Sequence, residues 1–111
     1  MQRFAIHYTP GKSWKIDQPW SEQGLYAHGE YMDELYTKGI LLYGGPFDDH
    51  KGGLAIVEAD SFDQVAQIIL NDPAVIDKIF EANAHPWITV FDQPKKVNFF
   101  RQRQPNIETV P

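Results

Sequence analysis

The sequence predicts an α+β fold ordered β-α-β-β-α-β, and three observations carry that expectation. Residues 3–8 alternate with a period of two, two later segments place apolar residues at helical spacing, and two short apolar runs stand beside glycine-rich turns. With 111 residues the chain has room for one hydrophobic core.

In the first strand Phe4, Ile6 and Tyr8 fall on one face and Arg3, Ala5 and His7 on the other. Thr9-Pro10-Gly11-Lys12-Ser13 is turn chemistry. Pro19 and Ser21 mark the next start, with Ser21 expected to cap a helix and Glu22 in its electropositive first turn. Leu25, His28, Met32 and Leu35 share one face of that helix, while Glu30, Asp33 and Glu34 lie largely off it, until Gly39 stops the pattern.

The apolar runs 40–43 and 54–59 are expected to be buried strands. Gly44-Gly45-Pro46 ends the first, Gly52-Gly53 precedes the second, and the short polar segment 47–51 joins them as a hairpin-like connection. Ser61 is expected to cap a second helix with Phe62, Val65, Ala66 and Ile69 inward, broken at Asn71-Asp72-Pro73. A further helical stretch is expected over 74–80, and the last strand over 87–91, ended by Asp92-Gln93-Pro94.

That order is the split βαβ, ferredoxin-like arrangement, a four-stranded antiparallel sheet with both helices on one face. The third and fourth strands offer apolar groups to both faces, so the face without helices needs a cover. A second copy of the chain in a two-fold dimer supplies it, and a homodimer through the sheet faces is expected. Residues 1–94 form the domain, and 95–111 are expected to be a tail or an arm laid over the partner.

The formal charge of −5 is uneven. Lys95, Lys96, Arg101 and Arg103 against Glu108 give the tail +3 and leave −8 on residues 1–94. An acidic body repels phosphate backbones, so no nucleic-acid partner is expected. No apolar run approaches the length of a membrane span, the N-terminus carries no secretory leader pattern, and there is no cysteine. No membrane partner is expected, and the cytoplasm is the expected compartment.

Among the candidate chemical groups, His28 stands out because it interrupts an apolar helical stripe, which directs its ring toward the core or its margin. Spacing alone favours a core histidine with a satisfied hydrogen bond. A working histidine needs a partner that fixes its tautomer, and Asp72, at the end of the neighbouring helix, is the candidate. Asp before proline is also ordinary helix-ending chemistry.

His7 falls on the strand face away from Phe4 and Ile6, His50 lies in an acidic loop, and His85 precedes Pro86-Trp87. No pair has zinc-motif spacing, so no metal is expected, and the glycine pairs lack the spacing of a phosphate or dinucleotide loop, so no cofactor is expected. Ser61 reads as a helix cap rather than a nucleophile. Tyr31, Tyr43, Phe47 and Trp87 are aromatics that can wall a small pocket as readily as fill a core.

Together these segments resemble YCII-related (YciI-like) proteins. The resemblance rests on His28-x-x-Tyr31-Met32-x-x-Leu35 leading to Gly39, on Leu41-Leu42-x-Gly44-Gly45-Pro46-Phe47 with Asp49, and on Gly52-Gly53-Leu54. It continues through Glu58-Ala59-Asp60-Ser61, Asp72-Pro73-Ala74-Val75, His85-Pro86-Trp87 and Val90-Phe91, covering roughly residues 3 to 92. It implies a dimeric α+β barrel assembly and a His/Asp-centred site at His28 and Asp72. Gly44, Gly45, Pro46, Tyr31, Phe47 and Trp87 are then expected around a small-molecule pocket. The chain departs from the resemblance in the long first connection, residues 9–20 with Trp14 and Trp20, and in the tail after Asp92.

The expected activity is that of a cofactor-independent lyase or isomerase acting on a small cyclic or aromatic molecule through His28 and Asp72. The alternatives are a non-catalytic, small-molecule-binding dimeric module and a cofactor-free oxygenase. Fold resemblance determines the scaffold more closely than the substrate.

Overall fold

The computed structural model describes residues 1–93 and the backbone of 97–98. The opening alternation makes strand β1 (Gln2–Pro10), whose Phe4, Ile6 and Tyr8 are buried. A short 3-10 turn (Trp20–Glu22) precedes helix α1 (Tyr26–Thr37). Strands β2 (Leu41–Pro46) and β3 (Gly53–Ala59), helices α2 (Phe62–Leu70) and α3 (Pro73–Ile76), and strand β4 (Phe80–Trp87) follow. A two-residue ladder joins β5 (Phe91–Asp92) to β6 (Val97–Asn98).

The four long strands lie in the order β2-β3-β1-β4, every neighbouring pair antiparallel. This is the expected ferredoxin-like α+β sheet. Its helix-bearing face holds the core, where Phe4, Ile6, Val57 and Phe80 pack with Leu35 of α1, Val65 and Ile68 of α2, and Ala74 of α3. Period-two and period-3.6 patterns therefore meet on one buried layer. Among the described residues no helix is long and apolar enough to cross a membrane.

Close strand approach explains Gly52. Its φ is +120°, and a Cβ there would stand 2.0 Å from the Tyr8 carbonyl oxygen. Only glycine allows the chain to enter β3 this close to β1.

Several boundaries differ from the sequence expectation. Ser21 does not cap α1. It lies inside the 3-10 turn, Gly24 at φ +73° separates that turn from the helix, and Leu25 occupies the N-cap without a side-chain bond. Ser61 does cap α2, its hydroxyl accepting from the Gln64 N–H at 3.2 Å. Ile68 rather than Phe62 completes the buried stripe with Val65, and Phe62 lies half-exposed edge-on to Phe4.

The helix expected over 74–80 stops at Ile76, and Lys78 turns the chain at φ +62°. The last strand of the sheet is then residues 80–87, not 87–91. Phe80, Ala82, Ala84 and Pro86 face the helices while Glu81, Asn83, His85 and Trp87 face away. Alanine and asparagine gave that alternation little hydrophobic contrast. Pro86 is tolerated because β4 is an edge strand and needs no second ladder of N–H bonds. Strand β2, the other edge, is buried only at Leu41 rather than throughout. Apart from the backbone of 97–98, the tail or arm expected over 95–111 lies outside the described residues.

Candidate functional site

His28 stands in the first turn of α1, with its ring held edge-on between Tyr8 of β1 and Phe80 of β4, each centroid 5.5 Å away. The imidazole is mostly covered. Asp72 follows Asn71, the C-cap of α2, and is the N-cap of α3, and it is fully buried. Its Oδ1 accepts the Ala74 N–H at 2.9 Å, capping the short helix. The same carboxylate faces His28 Nδ1, at 2.8 Å from Oδ1 and 2.9 Å from Oδ2. Turn chemistry and partnership with the histidine thus coexist in one residue.

A carboxylate can only accept, so Nδ1 carries the hydrogen and donates it. In the neutral ring Nε2 is then the unprotonated nitrogen, and among the described residues it has no hydrogen-bond partner. His28 lines a cavity of about 240 Å³. With Nδ1 turned back to Asp72, Nε2 is the nitrogen available to that cavity.

The cavity lies between α1 and the sheet. Leu25, His28, Gly29 and Met32 form its helical wall, and Tyr8, Leu41, Phe80 and the strand segments 44–46 and 53–55 form the other side. Trp20, from the connection before α1, completes the lining. Most of that surface is carbon, a setting in which one polar group has large leverage.

Of the expected pocket residues, the structure brings Gly44, Gly45 and Pro46 to the cavity with His28. Tyr31, Phe47 and Trp87 do not line it. Tyr31 instead donates its hydroxyl to the Ile68 carbonyl at 2.8 Å, tying α1 to α2. Phe47 packs against His7 at 5.7 Å, and Trp87 stands opposite Arg3 on the sheet face away from the helices. The aromatic wall comes from Tyr8, Phe80 and Trp20, whose sequence contexts read as a strand, a helix end and an irregular connection. Among the described residues no group of three or more His, Asp or Glu side chains could hold a metal ion.

Burial pushes the Tyr8 phenol well above the usual tyrosine range, with the nearby Asp72 and Tyr31 charges acting in the same direction. Tyr31 is raised by burial first, then by Asp72 and Glu34. The sign of the linked stability change follows from which state keeps its proton. Above about pH 10 the unfolded chain loses the Tyr8 phenolic proton that the folded chain retains, so stability falls as pH rises, by about 1.4 kcal/mol per pH unit for that group. Urea midpoints across pH 8 to 11.5 should decline above pH 10, and Tyr8→Phe should flatten the decline. An equal slope in the variant rejects Tyr8 as a source.

Gly29 also lines the cavity, and a glycine inside an amphipathic helix is the one sequence signal for it. Nothing lies within 4 Å of the place a Cβ would occupy. Helix propensity favours alanine there by about 1 kcal/mol. Gly29→Ala should raise thermal stability and, by adding a methyl group to the cavity lining, weaken occupancy by a ring-sized ligand. A variant with increased stability and undiminished binding would refute a space-keeping role for this glycine.

A family model described as the YCII-related domain matches residues 4–85. The uncharacterised protein YjpA of Bacillus subtilis (strain 168) is 31% identical over 70 residues, which cover 63% of this chain and 82% of that protein. Among solved structures, 5-chloro-2-hydroxyhydroquinone dehydrochlorinase (TftG) from Burkholderia phenoliruptrix AC1100, in complex with 2,5-dihydroxybenzoquinone, is similar with a TM-score of 0.61 and 26% identity. That similarity covers 78% of this chain and 93% of the dehydrochlorinase. Muconolactone isomerase shares the fold at a TM-score of 0.60 and 11% identity, over 78% of this chain and 88% of its own. The chain shares its α+β fold with both of these enzymes. With its model spanning most of the sheet and all three helices, the chain belongs to the YCII-related domain family.

Proposed function

We propose that this protein is a cofactor-independent enzyme of lyase or isomerase type acting on a small cyclic or aromatic molecule. The observation that carries the reading is His28 Nδ1 at 2.8 and 2.9 Å from the two oxygens of buried Asp72, beside an apolar cavity. The similarity to a dehydrochlorinase that binds 2,5-dihydroxybenzoquinone supports a ring-sized substrate.

In this reading Asp72 holds the Nδ1–H tautomer and stabilises the imidazolium as it forms. Nε2 takes a proton from a carbon of the substrate, and the freed electron pair becomes a new π bond. In an elimination a leaving group departs with its own bonding pair. In an isomerisation the proton returns from Nε2 to a different carbon. Gly44 and Gly45 let the substrate approach the β2 backbone.

The test is a panel of hydroxylated six-membered rings, including 5-chloro-2-hydroxyhydroquinone, and small lactones, followed by NMR in D2O without added cofactor. Deuterium incorporation, halide release or double-bond migration is expected for at least one. Binding without any of these makes the protein a small-molecule-binding module, and oxygen consumption with phenols makes it an oxygenase. Either outcome rejects the proposal.

The assembly is part of the same reading. The sheet face turned from the helices exposes Tyr43, Leu54 and Trp87, and a second copy is its proposed cover. Sedimentation at micromolar concentration should show a dimer, and a monomer alone rejects it.

A further inference from the structure

The connection between β1 and α1 is built as a closed loop, and one side chain closes it. Gln23 is only 3% exposed although it is polar and lies outside any α-helix. Its Oε1 accepts the Lys15 N–H at 2.7 Å, and its Nε2 donates to the Lys15 carbonyl at 2.8 Å and to the Gln18 carbonyl at 3.0 Å. The amide thus makes with Lys15 the reciprocal pair that a neighbouring strand would make. Three bonds on one buried side chain form a clip across residues 15 to 23.

The clipped loop is anchored at its base and reaches across at its tip. At the base, the Gly11 and Ser13 N–H groups donate to Ile79 and Lys78 carbonyls at 2.8 Å, and the Trp14 ring packs against Phe80 at 5.5 Å. At the tip, the Trp20 N–H approaches His50 Nδ1, on the turn between β2 and β3, at 3.4 Å. Trp20 therefore stands between two fixed points. Trp20 lines the cavity that holds His28 and is 40% exposed, so it is not buried in the core and has surface open to a ligand.

We propose that Trp20 is a specificity-determining residue, a stacking wall that selects flat, conjugated rings over saturated rings of the same size, and that Gln23 is the positioning residue that holds it there. The proposal rests on the reading that this cavity is the substrate site. An indole face offers a planar π partner what it cannot offer a puckered ring, and an indole carried on an anchored backbone has less freedom to lose when the partner arrives. None of the groups assigned to proton transfer supplies this selection.

The test uses two probes of equal ring size, planar 2,5-dihydroxybenzoquinone and saturated cyclohexane-1,4-dione, with dissociation constants from calorimetry on the full chain. The unaltered protein should bind the quinone more tightly than the dione and show a long-wavelength indole-to-quinone charge-transfer absorbance. Trp20→Leu should abolish that band and weaken quinone binding about tenfold while changing dione binding less than twofold. Trp20→Phe should keep most of the quinone affinity.

Gln23→Ala should diminish the band at saturating quinone, where a fold that is merely less stable still gives the full signal. Equal quinone binding in Trp20→Leu, or a surviving band, overturns the wall. An unchanged band in Gln23→Ala overturns the positioning role. If the unaltered protein binds neither probe at millimolar concentration, the substrate-site reading itself fails and this one with it, an outcome distinct from binding that ignores Trp20.

Discussion

His28→Ala should lower kcat on a processed substrate by about 10²- to 10⁴-fold with a much smaller change in KM, the range that a positioned general base contributes. The expectation follows from position. Nδ1 is committed to Asp72, Nε2 is free of protein partners among the described residues, and the ring lines the cavity between Tyr8 and Phe80. Truncation leaves space where the ring stood, so added imidazole should restore part of the rate. Full turnover in the alanine variant would falsify the assignment of the base. Steady-state kinetics with and without imidazole therefore separate a lost proton carrier from a damaged cavity.

Asp72→Ala should destabilise the fold by about 2 to 4 kcal/mol, measured as a shift in urea midpoint near neutral pH. Two losses add there. The Ala74 N–H loses its cap at the start of α3, and the mostly covered Nδ1–H of His28 loses its acceptor. Asp72→Asn divides these roles. Its side-chain oxygen can still cap α3, because asparagine is among the best N-cap residues, so the cost in stability should fall to about 1 kcal/mol. The negative charge beside the imidazole is lost all the same, and kcat should fall well below that of the unaltered protein. A stability loss in Asp72→Asn as large as in Asp72→Ala contradicts this division.

The two carboxylate functions also show why the residue was ambiguous in the sequence. Asp-Pro at a helix end satisfies a local rule completely, and nothing local shows that a histidine 44 positions earlier faces the same carboxylate. His28 was legible because a polar, titratable side chain interrupts an otherwise apolar helical stripe. Gly44, Gly45 and Pro46 stood out as turn punctuation, and the sheet brings them to the cavity. Aromatic character marks Tyr31, Phe47 and Trp87 in the sequence, but character carries no direction, and none of the three lines the cavity beside His28.

Local pattern carried the strand and helix order, the capping of α2 by Ser61 and the family resemblance, and it marked His28 and Asp72 as candidates. These depend on period, propensity and short-range bonding, which a linear sequence records directly. The position of β4 was hidden because its inward residues after Phe80 are small, and burial of alanine contrasts weakly with exposure of asparagine. The join between His28 and Asp72, the walls of the cavity and the Gln23 clip were decided only in three dimensions. Each depends on side chains from different elements meeting at hydrogen-bond or van der Waals distance, and such distances arise when helices pack on a sheet.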